Sequence, residues 1–501
     1  MKKRAISLLL SMLMLLPLLA GCSESKTNTD ETQPQAQNDT VTPAAEDVAE
    51  EDLSPAEQRA RIPDNLPDAD FGGRDFTVCT EERKFYEIFS EELVGEATND
   101  SVYERNIRIE DRFNVKIVAL ANGTPYNDVV TNVTSGTHAY DIVGFVNYLT
   151  YVPVSAGVLY NWCDIPRVDL TQPWHNQLAN GDATINGKLF GIDSDLSIST
   201  LQYTYGTFFN YQIMEQYGFS SQDLYDIVFE GKWTVDRLRE ISSGIWQDLN
   251  GDGKHDKDDI HGYAVTAAQV NTHDVWLAAQ DLSPVLTVRG EDDFDLTFFS
   301  DKTVTALEKV NALYHESDGS FFDPAADWRK IPEYFANGKV AMSQLYFGET
   351  TESLTVMEDT YGILPLPKFD EAQEGYYTNC WDQFTVFAVP LTMPASDGEF
   401  VGTMYEVLAA ESYKTVFPAY YDVALKSRYS AEPATAEVVD IIMAGRKLDF
   451  TFQFGEKLSS LPYMFRQMVV ANDTGVASKY KKISKSLNKM IQKFLDIYYG
   501  D

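Results

Sequence analysis

From residue 75 onward the apolar positions follow two alternating rhythms. Short dense runs at "DFTVCT" (75–80), "NVKIVAL" (114–120) and "AYDIVGFV" (139–146) each read as a strand. Between them the spacing widens to a helical period. "NDSVYERNIRIEDRF" (99–113) sets Val102, Ile107, Ile109 and Phe113 on one broad apolar side, with Asn99 or Asp100 placed to cap it. "TPYNDVVTNVTSG" (124–136) predicts a shorter helix ending at Gly136. Strand, helix, strand, helix, strand at this pace predicts a parallel sheet with right-handed crossovers. Ligands bind such sheets beyond the carboxyl ends of the strands. The segments 81–86 ("EERKFY") and 147–152 ("NYLTYV") therefore stand at a candidate mouth.

The same alternation continues. Thr207 to Asn210 reads as a strand running into a short helix, and "KWTVDRLREISSGI" (232–245) as a helix that turns Trp233, Val235, Leu238 and Ile241 inward. The run "GYAVTA" is a strand. "IPEYFANGKVAMSQLYFGETTESL" (331–354) predicts a helix, a turn at Asn337–Gly338 and a buried strand. "YGILPLPKF" is an extended, proline-locked segment and "CWDQFTVFAVP" (380–390) another strand. The remainder is mostly helical. The last helix sets Ile483, Leu487, Ile491, Phe494 and Tyr498 on one side and a lysine-rich, solvated face on the other.

The N-terminus follows a different pattern. Lys2, Lys3 and Arg4 precede a Leu/Met run that is short for a spanning helix, the layout of a secretory signal. The segment "LAGC" (19–22) resembles the bacterial lipobox, in which Cys22 is acylated and becomes the new N-terminus; the alternative is an ordinary secreted protein with a cysteine near its cut site. Residues 1–21 are thus expected to be a lipoprotein signal peptide. Residues 22–69, rich in Ser, Thr, Asn, Gln, Pro and acids, are expected to form a disordered acidic tether. Diacyl and N-acyl chains, palmitate among them, would hold the chain on the outer face of the cell membrane.

About 430 residues remain, too many for one small core, which suggests two lobes. The formal charge is −36, opposite in sign to that of a nucleic-acid binder. Neutral polar ligands or cations fit this chain better than anions, and self-repulsion favours a monomer. Beyond Cys22 the cysteines are Cys79, Cys163 and Cys380, so at most one disulfide can form, and no spacing suggests zinc.

Several pieces, in this order, resemble extracellular solute-binding proteins of ABC importers, in the sugar-binding family 1 group. They are "GKLFGIDSD" (187–195), "FFNYQIMEQYGF" (208–219), "KWTVDRLREI" (232–241), "FANGKVAMSQLY" (335–346) and "YGILPLPK" (361–368), although Gln212 departs from the family's usual cation. "AYYDVALKSRYS" (419–430) resembles a segment of large lipoprotein members.

The resemblance implies an α/β, two-lobed periplasmic-binding-protein-like fold of type II with a hinge between the lobes. Lobe one would comprise about 70–198 and 385–430, and lobe two about 199–384 and 431–501. It also implies capture of a mono- or oligosaccharide in the cleft, delivery to permease subunits, and no enzyme activity. Sugar rings call for aromatic platforms and polar side chains that fix orientation. Candidates after first-lobe strands are Glu81, Arg83, Asn147 and Tyr148; in the second lobe they are Asp274, Trp276, Tyr346 and Phe347. Tyr203, Tyr205 and Trp381 lie on or near the crossovers, while Trp233 and Trp328 are assigned to packing.

"DLNGDGKHDKDD" (248–259) fits a calcium-loop template. Asp248, Asn250 and Asp252 take positions 1, 3 and 5, Gly253 the sharp turn, Lys254 a backbone carbonyl, and Asp256 and Asp259 the ninth and twelfth positions. A helix is expected to enter the loop and a strand to leave it, which makes calcium a local staple and not a sensor. Two rival readings remain: a surface-tethered carbohydrate-active enzyme, which needs only two carboxylates, and a calcium-dependent adhesin.

Overall fold

The computed structural model describes residues 55–421 and 433–500. The expected signal peptide, Cys22, the tether as far as residue 54 and most of the 419–430 segment lie outside the described residues.

Three strands open the first sheet: β1 (Arg74–Glu81), β2 (Val115–Asn122) and β3 (Ile142–Val146), all parallel, in the order β2-β1-β3. The chain then leaves for a second sheet with β4 (Tyr205–Asn210), β5 (Trp246–Gln247) and β6 (Ile260–Thr266). A small hairpin, β7 (Thr287–Val288) with β8 (Phe294–Asp295), stands apart from it. The second sheet is completed by β9 (Ser320–Asp323), β10 (Val340–Tyr346) and β11 (Tyr361–Leu364), in the order β11-β4-β10-β6-β5 with β9 beside β6. The last strand, β12 (Thr385–Ala388), returns to the first sheet, antiparallel to β3. The predicted strand at 380–390 is therefore confined to these four residues, and 380–384 is spent on the return crossing.

The central strands are buried along their whole length, as expected of strands covered on both faces. Close packing at β3 requires Gly144, because a Cβ there would stand 2.8 Å from the Phe387 ring on β12. Two other glycines, Gly262 and Gly319, flank the Ser242 carbonyl so closely that a Cβ on either would lie 2.0 or 1.9 Å from its oxygen.

The helix Ala97–Phe113 covers the first sheet, with two differences from expectation. Its cap is Glu96, whose carboxylate accepts from the Thr98 and Asn99 N–H groups, while Asp100 accepts from Val94 and Gly95. Ile107 is exposed, because the inward face follows Val102, Arg105, Asn106, Ile109 and Phe113. Arg105 takes the inward place fully buried and donates to Asn106 Oδ1, Ser412 Oγ and the Ile88 carbonyl at 2.9–3.0 Å. The helix Pro125–Ser135 ends at Gly136 in the left-handed region, as the spacing predicts.

The tether does not extend to residue 69. Pro55–Arg61 is a helix, and the Arg59 guanidinium lies over the Tyr413 and Phe417 rings at 5.0 and 4.5 Å. Asp64 pairs with Arg112, and Phe71 packs on Phe113 and Phe400. Scattered apolar and aromatic-facing residues thus dock a stretch whose composition reads as unstructured.

The final helix, Val476–Tyr499, buries Leu487, Ile491, Phe494 and Tyr498, as the spacing predicts. It touches both halves of the molecule: Tyr480 packs on Phe299, and Tyr498 on Phe190. No described helix is long and apolar enough to cross a membrane.

Candidate functional site

The two sheets meet where the chain crosses between them. The outgoing pass runs into β4 and the returning pass into β12, and the two are joined by main-chain bonds. The Trp381 N–H donates to the Tyr203 carbonyl at 3.0 Å, and the Tyr205 N–H to the Asn379 carbonyl at 3.4 Å. A third segment lies alongside, with the Lys447 N–H donating to the Thr378 carbonyl and the Thr378 N–H to the Gly445 carbonyl. Three strips of backbone therefore form the hinge.

A pocket of about 280 Å³ opens beside this strip, near the low end of the range typical of small-molecule sites. Tyr205, Tyr346 and Trp381 line it, together with Trp328, Gln344, Glu349 and the residues Gln269, Asn271 and Thr272 at the start of a helix. The rings form one continuous wall. Trp381 lies 6.2 Å from Trp328 and 5.8 Å from Tyr346, and Tyr346 lies 5.9 Å from Tyr205. Gln344 Oε1 accepts from the Tyr263 hydroxyl, while its Nε2 has no partner among the described residues. Glu349 is 1% exposed, and its Oε2 likewise has none. Burial, reinforced by the Glu352 charge, pushes the Glu349 carboxyl up to about 7 against hydrogen bonds from Ser353 and Tyr346.

The structure divides the sequence candidates. Tyr205, Tyr346 and Trp381 line the pocket. Tyr203 stands behind Trp381 at 5.0 Å and accepts from Lys84 Nζ at 2.8 Å. Trp276 is fully buried and donates to the Tyr314 hydroxyl, and Phe347 is fully buried against the crossover. Asp274 pairs with Arg466 at 2.9 Å. The helix Val270–Ala279 brings its first turn, Asn271 and Thr272, to the pocket, and its period carries Asp274 and Trp276 away from it.

On the first-lobe side Glu81, Arg83 and Tyr148 gather at the hinge without lining the pocket. Arg83 donates to Glu81 at 2.6 Å and to Gln383 at 2.6 Å, and the Tyr148 N–H donates to the Asp382 carbonyl. Asn147 turns inward and accepts from Gln453. Trp328, assigned to packing from sequence, is a wall of the pocket, and Glu349 lines it without any mark in the sequence pattern. The rule that selected Tyr346 and Phe347, position just beyond a strand, reaches Glu349 when extended by two residues.

At the acidic loop a strand enters where a helix was expected. β5 pairs with β6, so residues 248–259 connect two paired strands. The loop's oxygens hold its own backbone. Asp248 accepts from Gly251 and Gly253, Asn250 from Asp252, Asp252 from Lys254, and Asp256 from Asp258. Asp259 is fully buried and accepts from Leu249. Among the described residues no three His, Cys, Asp or Glu side chains converge as a metal site. Cys79 and Cys380 are buried free thiols, pushed up to about 12 mainly by burial, and Cys163 is free and exposed.

No family model matches the chain, and no curated protein is similar to it. Solved structures are. A cyclo/maltodextrin-binding protein complexed with maltotetraose shares 12% identity over 85% of this chain and 98% of its own, with a TM-score of 0.53. The fold is that of the two-lobed, type II solute-binding proteins of ABC importers. The GacH receptor of Streptomyces glaucescens, solved unliganded and with acarbose, shares 14% identity over 83% of this chain and 99% of its own, at a TM-score of 0.51. UgpB of Mycobacterium tuberculosis, in complex with glycerophosphocholine, shares 15% over 85% and 99%, at 0.50.

Proposed function

We propose that the protein is a lipid-anchored, extracellular solute-binding protein that captures a small solute at the hinge pocket and hands it to the permease subunits of an ABC importer. The observation that carries this reading is the pocket wall on the hinge strip, where Trp381 sits on the returning pass itself. A ring placed there links ligand contact to the angle between lobes, which is what a transporter must read. Apolar faces with a few unpartnered polar groups suit a mono- or oligosaccharide, the class held by the maltodextrin-binding and GacH neighbours. Among the described residues the pocket lining contains one carboxylate, Glu349, where glycoside hydrolysis ordinarily uses two, which favours binding without catalysis. The protein acts as a monomer that touches the membrane only through the acylated Cys22.

Thermal unfolding against neutral oligosaccharides tests the reading. A true ligand at a hundred times its Kd adds about 2.7 kcal/mol, and a hit without reducing-sugar release supports a binder. Product formation would favour the enzyme. Release of a Cys22→Ser chain into the medium tests the anchor, and retention of that chain on the cells would overturn it. Calcium at the 248–259 loop is proposed on its residue pattern as a local staple. A rise in unfolding midpoint with CaCl2, reversed by EDTA, is the expected sign, and an unchanged midpoint removes it.

A further inference from the structure

The pocket is chemically one-sided. Three of its rings, Trp328, Tyr346 and Trp381, stand in contact, and among the described residues no Lys or Arg lines it. The one carboxylate among the described lining residues is Glu349: Ser353 and Tyr346 hydrogen-bond to the group, its buried Oε2 has no partner among the described residues, and the charge acting on it is another acid, Glu352. Cations nearby are engaged elsewhere. Arg83 pairs with Glu81, Lys84 donates to Tyr203, and Arg466 pairs with Asp274. Arg329 lies over the Trp328 ring at 4.8 Å but does not line the pocket.

A buried carboxylate without a counter-charge is costly, and the cost is relieved when a ligand brings the counter-charge. Indole and phenol faces attract a cation most strongly where water is excluded. Both features select the same ligand chemistry. A neutral sugar would satisfy the rings and could offer hydroxyls to Glu349, but it would bring no counter-charge.

We propose that the pocket takes the positively charged end of its solute, an ammonium or alkylammonium group, with Glu349 as counter-ion against the wall of Trp328, Tyr346 and Trp381. This deepens the solute-binding reading and rests on it. Glu349 sets specificity by charge, and the rings hold the cation's apolar shell.

Two matched pairs test it, by tryptophan fluorescence and calorimetry on the full chain. One pair is choline against its uncharged isostere 3,3-dimethyl-1-butanol. The other is the β-1,4 glucosamine trimer against cellotriose, which differs from it by a hydroxyl in place of each ammonium. The expected result is at least tenfold tighter binding of the cationic member of one pair. Glu349→Gln should erase that preference, while an unchanged unfolding midpoint or a higher one shows that the variant folds. Trp328→Leu should weaken the cation without equalising the pair. Tighter or equal binding of the neutral members would overturn the inference and leave the solute-binding reading standing. No binding of either pair, with a hit in the neutral panel, also overturns it. No binding of anything sinks both.

Discussion

Asp193 offers a direct test of how burial sets charge in this molecule. It is 4% exposed beside the returning strand, with Oδ1 accepting from Thr200 and no partner for Oδ2 among the described residues. Burial pushes its carboxyl from 3.8 up to about 6, against the pull of Arg446, Thr200, Asn176 and His175. At about 1.36 kcal/mol per tenfold change in proton affinity, the ionised side chain costs the fold about 3 kcal/mol at neutral pH. The sign follows from linkage. The native state binds the proton more tightly than the unfolded chain, so stability falls as pH rises from about 4 to about 6 and stays lowered above that. Asp193→Asn keeps the shape and removes the titration. Urea unfolding of both proteins at pH 4.5 and 7.5 should show the variant's relative stability improving by about 2 kcal/mol between them. A difference that stays flat with pH would refute the reasoning, because any packing or hydrogen-bond effect of the amide is the same at both values.

Three further outcomes follow from the packing. Gly262→Ala, which puts a Cβ 2.0 Å from the Ser242 carbonyl oxygen, should cost about 3 kcal/mol or abolish folding, read as soluble yield and unfolding midpoint; a variant within 1 kcal/mol of the parent would contradict the close approach. Trp276→Phe should destabilise by about 2 kcal/mol through the lost bond to Tyr314 and the smaller ring, yet leave ligand affinity unchanged in titration, whereas a fall in affinity would return Trp276 to the site. In a Cys22→Ser chain a thiol reagent should find one fast group, Cys163, and should reach Cys79 and Cys380 only on unfolding; two or three fast groups would refute their burial.

Much of the fold was legible because its elements obey simple periods. The three parallel strands of the first sheet, the helix ending at Gly136, the inward face of 235–243 and the apolar side of the last helix all follow from spacing alone. Errors came where one side chain outcompeted the pattern. Glu96 capped the helix assigned to Asn99 or Asp100, and Arg105 took the buried position beside an exposed Ile107. The site was legible in type and only partly in identity. Residues at strand ends and on crossovers included Tyr205, Tyr346 and Trp381, but the same rule also admitted Phe347, which is packed into the core. Trp328 lies in a loop between β9 and β10, where no period marks which way a ring points. Glu349 is marked out by a buried Oε2 with no partner among the described residues, a property that exists after folding and not before.

The return crossing has a mechanical consequence. When two bodies turn about a common axis, a point near that axis travels least. Trp381, bonded through its backbone to Tyr203 across the hinge, is such a point, and the pocket is built out from it. A solute seated against that ring would stay almost still while the lobes swing. The contacts that make and break would then lie farther out, away from the main-chain bonds that join the crossings. On the proposed function, retention and release would then be separable: the fixed wall would decide what is held, and the moving rim for how long.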